Sequence, residues 1–267
     1  FKREAEALKQ LGHHLQIPEL FADFDLQNNN DQFSYLVEEY VDGYTLEEEL
    51  EKEGNFNEAK ILDLLQQILP ILQFIHDQGH IHRDIKPSNL KKNSQGVIYL
   101  LDFGAVKLEN KSLQNQPNPK LNTRIYTTGY APPEQQTGAN IYPCTDLYAL
   151  AVTCIQLLTN KSPDQLYDSY NATWTWQNNT NVNYLLETVL NRMLESKPEK
   201  RFQSASEILK ALALLINQYN SPQINLNNPK TIVTPPPINP LNPLNPVTPL
   251  PPINTINSVE KLKKSSF

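Results

Sequence analysis

The stretch HRDIKPSN at residues 82–89, followed after a short hairpin by DFG at residues 102–104, decides how this chain is interpreted. Asp84 carries a carboxylate that can accept a proton, and Lys86 stands two residues further on, where an ammonium group can meet phosphate oxygens. An asparagine closes the first motif and an aspartate opens the second, and both offer oxygen atoms that suit Mg²⁺. These parts move a γ-phosphoryl group to a hydroxyl through position and charge.

At these residues the sequence resembles the eukaryotic-like serine/threonine protein kinase family, and especially its bacterial, cyanobacterial members. The family signature is H-R-D-x-x-x-x-N, then D-F-G, then A-P-E. The third motif here is Ala131-Pro132-Pro133-Glu134, which keeps the Pro-Glu pair and moves the alanine by one position. The resemblance implies an α+β, protein-kinase-like fold. It has a mainly helical C-lobe and only the helix C and hinge-side part of the small N-lobe.

The resemblance assigns the catalytic and cofactor residues, with ATP and Mg²⁺ as the implied cofactors. Asp84 would orient and deprotonate the acceptor hydroxyl, and Lys86 would neutralise the transferring phosphoryl group. A lysine at this offset resembles the Ser/Thr-specific branch. Asn89 and Asp102 would hold Mg²⁺, with Asn89 also facing the nucleotide. His82 would be a structural residue rather than a catalytic one.

The hinge that binds adenine corresponds to residues 35–41. Backbone groups near Glu39 and Val41 would bond the base. Two positions depart from the family pattern. Glu38 falls at the gatekeeper position, and Lys91 replaces the usual apolar side chain beneath the adenine ring, where its alkyl stem can lie with the ammonium group turned outward.

The polar stretch after the second motif is predicted to be an activation segment. Arg83, beside the catalytic aspartate, would hold a phosphate on Thr123. Ser112 and Thr128 are rival phosphate acceptors, and Thr123 also fits a plain surface residue. Thr127 would lie near the catalytic aspartate and shape the acceptor pocket.

Four further residues are implied to be structural. Glu4 resembles the glutamate of helix C, although Glu6 on the same helix is an alternative. Asp146 would steady the backbone of the catalytic loop, and Arg201 would pair with Glu134.

Local patterns predict the main helices. Asn57 can cap a helix that ends near Asp77, because apolar residues recur at helical spacing between them. Thr145 is predicted to cap a second, buried helix from Asp146 to about Leu158.

The start of the sequence leads to the expectation that it is an N-terminally truncated fragment. Residue 1 is Phe, in the middle of an amphipathic helix, and no G-x-G-x-x-G loop is present. We expect residues 1–42 to be the remnant of the N-lobe and residues 43–219 to be the C-lobe. The 267-residue chain alone is expected to have little or no kinase activity.

After the last helix, Asn and Pro dominate the composition. Residues 220–257 are predicted to be an extended linker, and residues 258–267 the start of an incomplete segment. Prolines recur at every third position from Pro237 to Pro252, which matches a polyproline II helix. The stretch 235–252 fits a stiff spacer, with docking to a Pro-recognising partner as the alternative.

Composition excludes some functions. A formal net charge of −6 argues against nucleic acid as a partner. The 2 cysteines are too few for a disulfide framework and favour a cytoplasmic protein. The longest apolar stretch, residues 147–158, contains Gln156 and is too short to cross a bilayer.

The sequence therefore predicts a serine/threonine kinase catalytic domain that acts on protein substrates. A non-catalytic kinase-like scaffold that binds protein partners remains the alternative.

Overall fold

A computed structural model describes residues 2–28, 31–108, 127–220, 223–224 and 232–233. The chain divides into two units, Phe1–Asn220 and Ser221–Phe267. In the second unit, β10 (Gln223–Ile224) pairs with β11 (Ile232–Val233) in an antiparallel sense. The rest of the predicted linker and the segment 258–267 lie outside the described residues, as does the Pro-rich stretch 235–252. The predicted division at residue 42 stays a prediction.

The first unit begins with a helix and a hairpin. Helix α1 (Lys2–Leu11) buries Ala5, Ala7, Leu8 and Leu11, which confirms its amphipathic pattern. Strands β1 (Leu20–Asn28) and β2 (Asp31–Glu38) then pair antiparallel. This pair leads directly into the hinge.

A three-stranded antiparallel sheet in the order β3-β5-β6 lies beside the loop at residues 82–89. Its strands are β3 (Tyr44–Thr45), β5 (Leu90–Lys92) and β6 (Ile98–Leu100). A second small pair joins β4 (His80–Ile81) to β7 (Lys107–Leu108). The β5–β6 hairpin and the β4–β7 pair each turn the chain back on itself. They bring the first motif, residues 82–89, close to the second, residues 102–104.

The core is built around α3 (Glu58–Asp77), which packs against α5 (Pro143–Thr159) and α8 (Ala205–Asn220). The Asn57 side chain accepts a hydrogen bond from the Lys60 amide at 2.9 Å, which confirms the predicted cap. The helix continues through Pro70. The remaining helices and strands are α2 (Leu46–Glu53), α4 (Pro133–Thr137), α6 (Pro163–Leu166), β8 (Tyr167–Asp168), β9 (Thr173–Trp174) and α7 (Tyr184–Met193).

The predicted start of the second core helix was wrong. Helix α5 begins at Pro143, so Thr145 lies inside its first turn and is not the capping residue. Proline favours the first position of a helix because its fixed φ suits the helix and its missing N–H needs no partner there. The Thr145 hydroxyl oxygen instead accepts the Tyr142 amide at 3.1 Å.

Helices dominate and the sheets are small and antiparallel, so the predicted α+β class is confirmed. Within the ranges that the structure describes, no helix combines the length and apolarity needed to traverse a bilayer.

Candidate active site

The loop that carries Asp84 is held from behind by the buried carboxylate of Asp146, in the first turn of α5. Asp146 Oδ2 accepts the His82 amide at 2.8 Å, and Oδ1 accepts the Arg83 amide at 2.7 Å. His76 Nε2 lies 2.8 Å from Oδ2. Burial alone would raise the pKa of Asp146, but the hydrogen bond and charge of His76 and the charge of His82 hold it below its ordinary value. The loop backbone is thereby attached to the core.

Three side chains converge on the Asp84 carboxylate. Its Oδ1 accepts the Thr127 hydroxyl at 2.6 Å, and its Oδ2 lies 2.8 Å from Lys86 Nζ. Lys86 Nζ also donates to Thr127 Oγ1 at 2.8 Å. Asn89 Nδ2 donates to the Asp84 carbonyl at 2.8 Å and to Oδ2 at 3.0 Å. The structure thus brings together Asp84, Lys86 and Asn89 with Thr127, some forty residues later in the chain.

These contacts keep the Asp84 carboxylate ionised. Burial by itself would raise its pKa. Hydrogen bonds from Lys86, Thr127 and Asn89, together with the charge of Lys86, outweigh burial and lower the pKa of Asp84 below the ordinary value. An ionised carboxylate is the form that can accept a proton from a hydroxyl.

Asp102 reaches the same region through the β5–β6 hairpin. The Leu101 amide donates to the Asn89 carbonyl at 2.9 Å, and His82 Nε2 lies 3.1 Å from the Leu101 carbonyl. Asp102 is exposed and has a positive φ of 61°, and its Oδ1 accepts the Gly104 amide at 3.1 Å. Because Asn89 uses its amide nitrogen toward Asp84, its side-chain oxygen is the atom left for a cation.

Negative charge accumulates around Asp102. Burial, followed by the charges of Asp102 and Glu38, raises the pKa of Glu4. Burial and the charge of Asp102 likewise raise the pKa of Glu38. A Cβ placed on Gly104 would lie 3.6 Å from Glu4 Oε2, so helix α1 reaches this loop. Such a group of carboxylates favours a cation nearby.

The hinge segment follows β2. The Glu39 amide donates to the Glu19 carbonyl at 2.8 Å, so this amide is already engaged within the protein. Val41 is buried. Lys91 Nζ lies 5.2 Å from the centroid of the exposed Tyr40 ring, which is the outward position that the sequence predicts for this ammonium group.

Three cations from separate segments influence one another electrostatically: Arg3 in α1, Arg83 just before Asp84, and Lys107 in β7. Arg83 Nη1 donates to the Ala105 carbonyl at 3.2 Å. Burial and then the charges of Arg83 and Arg3 lower the pKa of Lys107, and burial and the charge of Arg3 lower the pKa of Arg83. Thr123 lies outside the described residues.

The third motif is anchored by a buried ion pair. Arg201 Nη1 and Nη2 donate to Glu134 Oε1 and Oε2 at 2.6 and 3.0 Å. Arg201 is 1% exposed and also donates to the Glu195 and Ser196 carbonyls. The pair implied by the resemblance is therefore in contact, and it connects α4 to the segment just before α8.

Sequence reasoning missed several residues of this region. His76 lies on the buried, apolar face of α3. A polar residue at such a position was the one feature of the sequence that could have identified it. Arg3 and Lys107 resemble ordinary surface charges in sequence. Gln156 was noted only as a polar interruption in an apolar stretch, whereas its Oε1 accepts the Tyr130 hydroxyl.

Comparisons with known proteins point the same way as this geometry. The sequence profile of the protein kinase domain matches residues 1–212. The chain is 46% identical to serine/threonine-protein kinase F of Synechocystis sp. over 79% of the chain and 44% of that protein. It is 39% identical to serine/threonine-protein kinase PknA of Nostoc sp. over 82% of the chain and 39% of that protein. The chain thus spans less than half the length of these curated relatives.

Proposed function

The chain belongs to the protein kinase family, and from this premise we propose that the whole protein transfers the γ-phosphoryl group of ATP to serine or threonine hydroxyl groups of proteins. The observation that carries the proposal is the cluster of Asp84, Lys86, Asn89 and Thr127. The names of the relatives and the position of Lys86 support the choice of serine and threonine. We assign residues 1–42 to the small lobe and 43–219 to the large lobe.

In this proposal, Asp84 orients the acceptor hydroxyl and accepts its proton. Thr127 Oγ1, which donates to Asp84 Oδ1 at 2.6 Å, illustrates how a hydroxyl is received by this carboxylate. Lys86, 2.8 Å from Asp84 Oδ2, stands where its charge can stabilise a phosphoryl group that approaches the same hydroxyl. The lowered pKa of Asp84 keeps the proton acceptor ionised at neutral pH.

Asn89 and Asp102 are proposed to hold a divalent cation, with Mg²⁺ as the expected ion. An amide oxygen and a carboxylate are the hard ligands that Mg²⁺ prefers, and the nearby Glu4 and Glu38 add negative charge. When bound, the ion neutralises phosphate charge. The Glu39 carbonyl and Val41 backbone would receive the adenine, while Lys91 keeps its ammonium group beside Tyr40 and away from the base.

Regulation is proposed to act through Arg83. The charge of Arg3 lowers the pKa of Arg83, and the charges of Arg83 and Arg3 lower the pKa of Lys107, so these cations repel one another. A phosphate on Thr123 would add negative charge that offsets this repulsion. Ser112 and Thr128 remain rival acceptors.

The decisive experiment measures phosphate transfer from labelled ATP and Mg²⁺ to a generic protein substrate by the full-length protein, followed by identification of the labelled amino acid. We expect labelled serine or threonine, and loss of transfer in Asp84→Asn. Asp77→Asn, which changes an exposed aspartate at the end of α3, is the matched control.

The alternative, a non-catalytic scaffold, predicts no transfer and no binding of nucleotide. A thermal shift with Mg²⁺ and ATP separates the two functions. A shift without transfer would contradict the catalytic proposal while retaining a nucleotide site.

A further inference from the structure

One face of the small β3-β5-β6 sheet is turned away from the core. Thr45 lies directly opposite Lys91, and Lys91 lies directly opposite Tyr99, so these three side chains share a face. Leu90 and Leu100, which pair on the other face, are completely buried. The face formed by Thr45, Lys91 and Tyr99 is only half-buried and is therefore open to a ligand.

This face lies close to the hinge. Lys91 Nζ is 5.2 Å from the centroid of the Tyr40 ring. Burial and then the charge of Glu39 raise the pKa of Tyr99, so the next hinge residue also acts on this face. Lys91 follows two residues after Asn89, to which the proposed function assigns the cation. Position 91 consequently lies between the hinge and the loop that carries the proposed metal ligand.

The ammonium group of Lys91 is drawn to the rim by two neighbours. One is the Tyr40 ring, which is 80% exposed and attracts a cation through its face. The other is Glu48 in the first turn of α2, whose pKa is lowered by hydrogen bonds from Thr45 and then by the charge of Lys91. A lysine with its ammonium group at the rim lays its methylene groups along the surface behind it.

We propose that Tyr40 and Lys91 together set the affinity of this protein for the adenine of ATP: the Tyr40 ring holds the Lys91 ammonium group at the rim, and the alkyl stem lies beneath the base. The inference rests on the proposed function and deepens it. Tyr40 is a positioning residue, because it acts through Lys91 and need not touch the nucleotide.

The pairing answers a difficulty that the charge at position 91 creates. The family pattern has an apolar side chain there, and an ammonium group covered by the base would lose its water without gaining a partner, which is costly. With the charge over Tyr40, the four methylene groups of Lys91 offer the base an apolar surface like that of the usual side chain.

The test compares Tyr40→Leu, Tyr40→Phe, Lys91→Met, Lys91→Ala and the double variant Tyr40→Leu/Lys91→Met in the full-length protein. Calorimetry measures the Kd for adenosine and for ATP with Mg²⁺, and steady-state kinetics measures kcat and the KM for ATP. Tyr44→Leu is the matched control. Tyr44 is also exposed and has Lys52 Nζ 5.0 Å from its ring, but Lys52 belongs to α2 and not to the sheet face.

We expect Tyr40→Leu to raise the Kd for adenosine and for ATP by the same factor, about two- to fivefold, with kcat unchanged. Tyr40→Phe retains the ring and should recover most of this loss, and Tyr44→Leu should match the wild type.

The variants at position 91 test the coupling. Lys91→Met keeps a straight stem without the charge and should bind both ligands about as tightly as the wild type. In this background Tyr40→Leu should have no further effect, because the charge that Tyr40 positions is gone. Lys91→Ala removes the stem and should raise the Kd for both ligands.

Three results would overturn the inference. A loss from Tyr40→Leu that persists beside Lys91→Met would show that Tyr40 contacts the nucleotide directly. A loss confined to ATP would show that the ammonium group acts on phosphate. Binding more than tenfold tighter in Lys91→Met would show that the lysine obstructs the site.

The comparison of Lys91→Met with Lys91→Ala decides even if Tyr40→Leu fails to fold, since equal affinities would show that the stem does not support the base. If the wild type binds no nucleotide, the proposed function and the inference both fail. If it binds ATP but transfers no phosphate, only the proposed function fails. If it binds and transfers while Tyr40→Leu keeps its affinity, only the inference fails.

Discussion

Asp146 holds Arg83 in a left-handed backbone conformation. The Arg83 amide donates to Asp146 Oδ1 at 2.7 Å, and Arg83 has a φ of 74°. A residue with a side chain rarely adopts this region, which costs on the order of 1–3 kcal/mol. The buried carboxylate offsets that cost, and the next residue, Asp84, reaches Thr127 and Lys86.

Replacing Asp146 should therefore affect both stability and activity. In Asp146→Asn, an amide nitrogen replaces one of the two carboxylate oxygens and faces N–H groups that now donate to that oxygen. We therefore expect a loss of about 3–5 kcal/mol in the free energy of unfolding. Urea denaturation measures it. Phosphate transfer should fall further than the folded fraction does, because Arg83 is released. An Asn variant with wild-type stability would contradict the role given to this carboxylate.

The hydroxyl of Thr127 should matter more than its methyl group. Thr127→Ala removes hydrogen bonds to the charged Asp84 and Lys86, each bond of this kind being worth about 1.5–3 kcal/mol. We expect kcat to fall roughly ten- to hundredfold. Thr127→Ser keeps the hydroxyl and should stay close to wild type. Equal rates for the Ala and Ser variants would show that the bond is not needed for transfer.

The buried Arg201–Glu134 pair should contribute far more to the free energy of unfolding than an exposed ion pair of similar length. Arg201→Lys leaves Glu134 without its two-point partner, and we expect a loss of about 3 kcal/mol in unfolding free energy. The matched control is Lys9→Ala, which breaks the exposed 2.6 Å pair with Asp23. Breaking it should cost less than about 1 kcal/mol. Comparable losses in the two variants would contradict this ranking.

Stability should decrease when the pH is lowered from about 7.5 to 5.5, because unfolded histidine has a pKa near 6.5. Burial lowers the pKa of the fully buried His82 in the folded protein. The unfolded chain therefore binds more protons in this window, so acid favours unfolding.

His82→Phe tests this assignment, since a phenyl ring can keep the edge contact with Phe103 and cannot titrate. The variant should show a shallower dependence of the urea midpoint on pH, whatever its absolute stability. If the urea midpoint of this variant depended on pH as steeply as that of the wild type, groups other than His82 would cause the pH dependence.

Much of the fold could be predicted from local pattern. The helix capped by Asn57 is present because apolar spacing and a cap agree over twenty residues. Thr145 was wrongly assigned as a cap, because Thr145 and Pro143 are both start signals and lie two residues apart. Local propensity alone could not choose between them.

Residue spacing predicted the part of the site whose residues are close in sequence. The distant contacts of Thr127 with Asp84, of Asp146 with the loop at residues 82–83 and of Arg201 with Glu134 were implied only by the family resemblance. Asp84, Lys86 and Asn89 lie on one turn of chain, so their spacing already implies contact. His76 meets Asp146, and Tyr130 meets Gln156, only after helices have packed, and neither pair has a motif. The cationic group of Arg3, Arg83 and Lys107 is likewise assembled from three separate elements.

The residue types of the two motifs by themselves indicated which chemistry the site could carry out, since a proton acceptor, an ammonium group and two possible oxygen ligands can be identified directly in the sequence. The tertiary structure alone decided how those groups are held. Packing of α3 against α5 brings the Asp146 carboxylate to the loop backbone, and Gln156 of α5 accepts a hydrogen bond from the Tyr130 hydroxyl. Such contacts depend on which helix faces meet, and that follows from burying the apolar surface of the whole domain rather than from any local stretch of residues.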